Sequence, residues 1–486
     1  MLTPATGARA SDTSLRRAGA RLAALALLLL PGGALGQEAF ESPATLEATT
    51  SSEEANAHFW SAVAEWENID AATAAEHLAM ALSLDPDFGL AKVIEGFSAP
   101  GLDSEASAHR ITEGMADLAG ATAPESLFGL GLREWGQGRT TNAQRLLALA
   151  ADMVPGDPHV AYWSALARGA GAEVMSEITQ RFPDFAPAYN ILAYNAWNEG
   201  DRETAIEAVT RYMELLPEHP NPHDSYAEIM QWSGNLKEAG AHYRAAADLR
   251  PGFNQAYYGL AEVEWLMGNE KRARSALEAG AARAPTEAGR LNGRRALANS
   301  YLMDGKRKEA MKILREVAET AASAENAGIA ALAHQEMAMA DAILGDGDEI
   351  AGHLGRAAEI GGENPGQMVW TAVAYGSAGR LDEAREAAAA LSETAEKSPE
   401  GSGLRTAAAT ANAIILLQEE RAEDALALLE DSDGSDPMIR VLKAECYKDM
   451  KRSREAREMK DGVLTEATLN FFNPVETIAR LRAKRL

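Results

Sequence analysis

The chain has a single cysteine among 486 residues. One thiol forms no internal disulfide, thiolate zinc site or iron–sulfur cluster by itself. Cys446 sits among Val441, Leu442, Ala444 and Tyr447, the setting of a small core residue. Aromatic residues are also scarce, at 6% against 46% apolar, which fits an alanine-rich helical protein better than a β-rich one. Basic residues are outnumbered, 46 against 72 acidic, for a formal charge of −26. That balance keeps a chain soluble and opposes non-specific binding to nucleic acid or anionic lipid. Long apolar runs are missing: Leu22–Leu30 is shorter than the roughly 20 residues of a membrane span. Catalytic motifs are missing too. There is no His-Glu-x-x-His, no Walker-type glycine loop, no Gly-x-Ser-x-Gly and no dinucleotide fingerprint. Asp346-Gly347-Asp348 and Asp431–Asp436 resemble pieces of a calcium loop without its downstream acidic ligand, and read as solvated turns. No catalytic residue, cofactor or metal is expected.

At the N-terminus, Arg16, Arg17 and Arg21 lead into Leu22–Leu30. Pro31-Gly32-Gly33 breaks the run, and Ala34-Leu35-Gly36 supplies small residues. Residues 1–36 therefore read as a secretory signal, with a retained anchor as the alternative. The expected product is periplasmic or secreted. Residues 37–54, polar and rich in Ser, Thr and Glu, read as a flexible lead-in.

A fixed period governs the middle of the chain. Gly200, Gly234 and Gly268 are spaced by 34 residues, as are Ala205, Ala239 and Ala273, and Pro217, Pro251 and Pro285. Such a period marks a helical repeat. Gly supplies the left-handed turn that ends one helix, and the Asp201, Asn235 or Asn269 that follows is placed to cap the next. The alanine lets the second helix pack closely, and the proline closes the unit.

These residues resemble the tetratricopeptide repeat. Leu192-Ala193, Gly200-Asp201, Ala205, Val209 and Pro217 follow its pattern. So do Tyr226-Ala227, Gly234-Asn235, Ala239, Tyr243 and Pro251, and Leu260-Ala261, Gly268-Asn269, Ala273, Leu277 and Pro285. Looser copies fill the flanks. Asn68-Ile69-Asp70 replaces the glycine turn in the first unit. The pair 88–123 has a long turn at Pro100-Gly101, and 157–185 is short, with its second helix expected to lose turns. The expected organisation is thus repeats over 55–285, more degenerate repeats over 286–462, and a basic tail over 463–486. The resemblance implies an all-α, right-handed superhelical solenoid of antiparallel helix pairs. In the tail, Phe471-Phe472-Asn473-Pro474 reads as a turn. Val475–Leu486 reads as a short helix carrying Arg480, Arg482, Lys484 and Arg485, either a cap for the array or a docking peptide.

The resemblance also implies a function. In such arrays one stripe of each first (A) helix lines a concave groove that holds a partner segment. Residues spaced by three and four share that face. Here the stripe is Asn190, Tyr194 and Trp197, then Asp224, Glu228, Gln231 and Trp232, then Tyr258, Glu262 and Trp265. Trp66 and Trp135 hold the same register, whereas Trp60, Trp163 and Trp370 read as core. The rings either anchor a partner or fill space between A helices. The carboxylates favour a neutral or basic protein segment, and the Lys/Asn pattern that grips an acidic chain end is absent. The expected role is a non-catalytic, exported scaffold for protein or peptide binding. The alternatives are an accessory subunit of envelope machinery, a cell-wall hydrolase that lacks the separate catalytic domain it would need, and a plain spacer.

Overall fold

The computed structural model describes residues 45–98, 104–362, 364–399, 403–430, 432, 434–466 and 469–486. The signal reading at 1–36 lies outside them. The described chain is all-α, with no strand among the described residues, and it is built from paired neighbouring helices. It forms two compact units that part at Asp201. That boundary lies inside the most regular stretch, while the sequence loses regularity only after Pro285.

The first unit pairs Glu53–Glu67 with Ala71–Leu84, Gly89–Ser98 with Ser104–Asp117, and Ala123–Gly136 with Thr140–Met153. Pro158–Ala167, Ala172–Arg181 and Ala186–Glu199 follow. The second unit opens with Arg202–Leu215. Its pairs are Pro220–Trp232 with Leu236–Leu249, Asn254–Leu266 with Glu270–Arg283, and Glu287–Met303 with Arg307–Ser323. Ala327–Leu344 with Ile350–Gly361 and Pro365–Ser377 with Leu381–Lys397 come next, then Leu404–Gln418 with Ala422–Leu428 and Pro437–Asp449 with Ser453–Thr465. Pro474–Arg485 is the last helix.

The period has the physical basis the sequence suggests. Gly200, Gly234 and Gly268 take φ of 91°, 83° and 79°. Where the glycine is lost, Ile69, Glu420 and Lys451 take its place at φ of 65°, 59° and 62°. Ala193, Ala205, Ala227, Ala239, Ala261 and Ala273 are fully buried between helices. The capping expectation is corrected. Asp70 does accept from the Thr73 amide, but Asn235 and Asn269 make no side-chain cap. Asn269 instead donates its Nδ2 to Glu264 Oε2 at 2.9 Å, reaching back across the turn. The short pair over 157–185 is corrected as well. Both its helices, Pro158–Ala167 and Ala172–Arg181, have 10 residues, so the loss is shared.

The irregular second pair closes differently. A Cβ on Gly114 would stand 2.6 Å from the Gly89 carbonyl oxygen, and one on Gly89 would stand 2.8 Å from that of Gly114. The two backbones touch where other pairs interpose alanine. The lead-in also departs from expectation. Residues 45–52 are tied down rather than free. The Leu46 amide donates to Asp157 Oδ2 at 2.8 Å, Thr49 donates twice to Glu125, and Ser51 donates to Asp85. Cys446 is fully buried, and burial pushes its thiol up to about 12.

Candidate functional site

In the first unit the A-helix rings pack on one another. Trp66 stacks on Trp163 at 4.4 Å between centroids, Trp135 meets Trp163 edge-on at 6.0 Å, and Phe97 contacts both Trp66 and Trp135. Trp163 donates its indole N–H to the buried Glu67 at 2.8 Å, and His159 lies 2.8 Å from the other oxygen of that carboxylate. Burial disfavours the imidazolium, yet Glu67 and Asp157 outweigh it and hold His159 above its ordinary range. Here the rings fill the space between A helices. Asn190 is buried on Ala186–Glu199, while Tyr194 and Trp197 are half-buried. These three belong to the first unit; the other seven residues of the expected stripe belong to the second.

In the second unit the stripe is a face with chemistry. Asp224, Glu228 and Trp232 are half-buried on Pro220–Trp232. The buried Gln231 donates to Glu262 at 3.3 Å, which ties that helix to the next. Burial raises the Asp224 carboxyl well above its usual range, with Glu228 adding to the rise. Glu262 is raised likewise, by burial and then by Glu228, Glu476 and Asp224, against the opposing hydrogen bond from Gln231. Four carboxyl groups thus crowd one patch, and Glu476 comes from the C-terminal helix.

The C-terminal segment lies on this face. Phe471, 1% exposed, meets Trp265 edge-on at 5.5 Å, and Phe472 meets Tyr258 at 4.7 Å. The Phe471 carbonyl accepts from Asn299 Nδ2 at 2.9 Å. The ammonium of Lys484 lies 5.2 Å from the Trp265 ring, whose flank also meets Arg274 at 5.5 Å. Arg482 forks onto Glu445 at 2.6 and 2.9 Å and reaches Ser377 at 3.2 Å. Arg485 donates to the Ile343 carbonyl. One segment therefore touches A helices from Asn254–Leu266 to Pro437–Asp449. Helix Pro474–Arg485 is buried along most of its length, so it is more than a lid on the last pair. Trp265 is only 9% exposed because the tail covers it.

Sequence reasoning missed two features. One is the buried fork of Arg295 onto Glu336 at 2.6 and 3.0 Å, with Asn299 donating to the same carboxylate. No local spacing announces it. The other was legible. His58 and His77, His223 and His242, and His334 and His353 are each 19 residues apart, and each pair joins the two helices of one repeat at 3.0 to 3.4 Å.

No family model matches the chain, and no curated protein matches it. Among solved structures, TTC0263, a thermophilic TPR protein in Thermus thermophilus, is similar at 21% identity and a TM-score of 0.32. The match covers 37% of this chain and 100% of that one. A crystal structure of MamA is similar at 17% identity and a TM-score of 0.27, over 39% of this chain and 93% of that one.

Proposed function

We propose that this protein is an exported scaffold that holds a protein or extended peptide segment on its A-helix face and catalyses nothing. One observation carries the reading. The face bearing Tyr258, Glu262 and Trp265 already accommodates a length of polypeptide, clasping aromatic side chains at one end and arginine at the other. Carboxylates along that face, Asp224, Glu228, Glu262 and Glu445, favour a neutral or basic segment over an acidic one. Export rests on the three-part pattern of residues 1–36. No helix among the described residues is long and apolar enough to cross a membrane.

The test is affinity capture from a bacterial envelope extract. The chain is compared with a Trp232→Ala/Glu262→Gln variant whose helicity is verified by circular dichroism. Partners held by the chain and lost by the folded variant support the reading. Identical capture by both places binding away from the stripe and sinks it.

A further inference from the structure

We propose that residues 469–486 are a resident ligand of the second unit's A-helix face, and that the external partner of this face is a segment of the same chemistry: a pair of aromatic residues followed by a basic amphipathic helix. The inference deepens the scaffold reading and rests on it.

Three observations point this way. The first is the mode of contact. Phe471 and Phe472 insert against Trp265 and Tyr258, the two stripe aromatics of Asn254–Leu266. An aromatic buried in a pocket, as Phe471 is, is the usual anchor of a bound segment. Arg482 then makes a two-bond fork to Glu445, which fixes orientation as well as adding attraction. Aromatic anchors followed by a fork describe a recognition pattern, whereas an end cap needs only to cover apolar surface.

The second is the imperfect fit of the resident. Asn299 Oδ1 is buried and finds no hydrogen-bond partner, although Nδ2 of the same side chain bonds the Phe471 carbonyl. A buried acceptor without a donor opposes the docked state. The first turn of the tail helix also brings Glu476 to the patch that already holds Asp224, Glu228 and Glu262. Arg480 answers Glu476 from within the same helix, at 3.0 Å, and its own exposure is 3%. A partner carrying a cation in place of Glu476 would fit this face better than the resident does.

The third is unfilled space. A cleft of about 490 Å³ borders the end of the tail helix, lined among others by Ile343, Ser377, Glu445, Lys448 and Arg482. The groove thus has room beyond its occupant, next to the Glu445 that grips the tail's arginine.

The test uses the full chain and a fluorescent peptide with the sequence of residues 469–486. A Phe471→Ala/Arg482→Ala chain has its own tail weakened at both anchors. It is expected to bind the peptide at least about tenfold more tightly than the unaltered chain, since a fractionally free site lowers apparent affinity in proportion. Adding Glu445→Arg should abolish the gain, and a peptide carrying Arg482→Glu should restore it. In the unaltered chain, saturating peptide should speed hydrogen exchange of residues 474–485 while Glu287–Met303 stays protected. That second measurement decides the matter if the double variant unfolds. Absence of peptide binding by a folded double variant overturns the proposal. So does unchanged exchange of residues 474–485 in the unaltered chain. Concentration-dependent dimers of the unaltered chain would make a second copy the occupant, and would overturn it too. A chain that captures envelope partners yet ignores the peptide refutes only the tail assignment. One that binds the peptide yet captures nothing refutes only the scaffold reading.

Discussion

Ile69 holds a β-branched side chain in the left-handed region, at φ 65°, half-exposed in a turn where other repeats place glycine. Left-handed backbone costs an L-residue roughly 1–2 kcal/mol, part of which glycine returns as unfolded-state entropy. Ile69→Gly is therefore expected to stabilise the first unit, by about 1 kcal/mol at most, measured by chemical denaturation. Glu262 is strained electrostatically instead. Burial and three neighbouring carboxyl groups raise its folded pKa above the unfolded value. A raised carboxyl favours the folded state at low pH, and that contribution is lost as pH rises through the folded pKa. Glu262→Gln should thus raise the melting temperature of the second unit at neutral pH. The advantage should vanish below about pH 4.5, where the unaltered side chain is also protonated in the unfolded chain. Both residues were visible in the sequence, Ile69 as a missing glycine and Glu262 as a stripe position. The crowding of Glu262 was not, because Glu476 lies in a distant segment whose docking no local pattern encodes.

At the scale of helix pairs, the contacts that set spacing are small residues. Gly114 and Gly89 let two backbones meet. A methyl group at Gly114 has backbone on its near side and cannot be accommodated by a rotamer change. Gly114→Ala should destabilise the first unit by about 1–3 kcal/mol, the range for overpacked contacts, while an alanine at the open Gly120 should do little, as thermal melts would show. The histidine pairs add a pH response. Burial and then the partner ring lower His242 and His334, and burial lowers His353. Glu238 beside His242 and Glu349 beside His353 oppose the shift, while Arg356 adds to it at His334. A depressed histidine contributes stability above its unfolded pKa, near 6.5, and that contribution is lost as pH falls. Melting of the second unit should therefore drop between pH 7 and pH 5 more in the unaltered chain than in His242→Gln/His334→Gln. The helix pairs themselves were almost wholly legible, since glycine, alanine and proline act locally and repeat. The pairing of histidines across a repeat needed the three-dimensional match of two helices, although its constant step was on the page of the sequence. The capping asparagines misled because Asn269 had a better partner in Glu264 than in its own helix.

At the scale of each unit, segments outside the repeats do more than the repeat pattern announces. In the first unit, residues 45–52 are held by Asp85 at the end of Ala71–Leu84, Glu125 on Ala123–Gly136 and Asp157 at the start of Pro158–Ala167. In the second, the tail reaches across A helices distant in sequence. Phe471→Ala should cost about 3–5 kcal/mol of second-unit stability, the usual range for emptying a buried phenylalanine site. Hydrogen exchange should quicken in Asn254–Leu266 and Glu287–Met303 and stay unchanged in the first unit. Of the expected stripe, Tyr258 and Trp265 both meet the tail, an occupant that the sequence did not reveal. A segment rich in Arg on an acidic chain signals attraction without an address, and the address is spelled by Glu445 and Ser377, residues with no periodic mark.

The hydrogen bond from Asn299 to Phe471 spans 172 residues, in an array whose other contacts run mostly between neighbours. An open array of repeats peels from its ends, one unit after another, because each holds only the next. A strap fastened at Trp265 and again at Glu445 changes that mechanics. Under tension applied at its C-terminus, the second unit would first give a single rupture as the strap tears away. Only then would the stepwise unravelling of individual repeats begin.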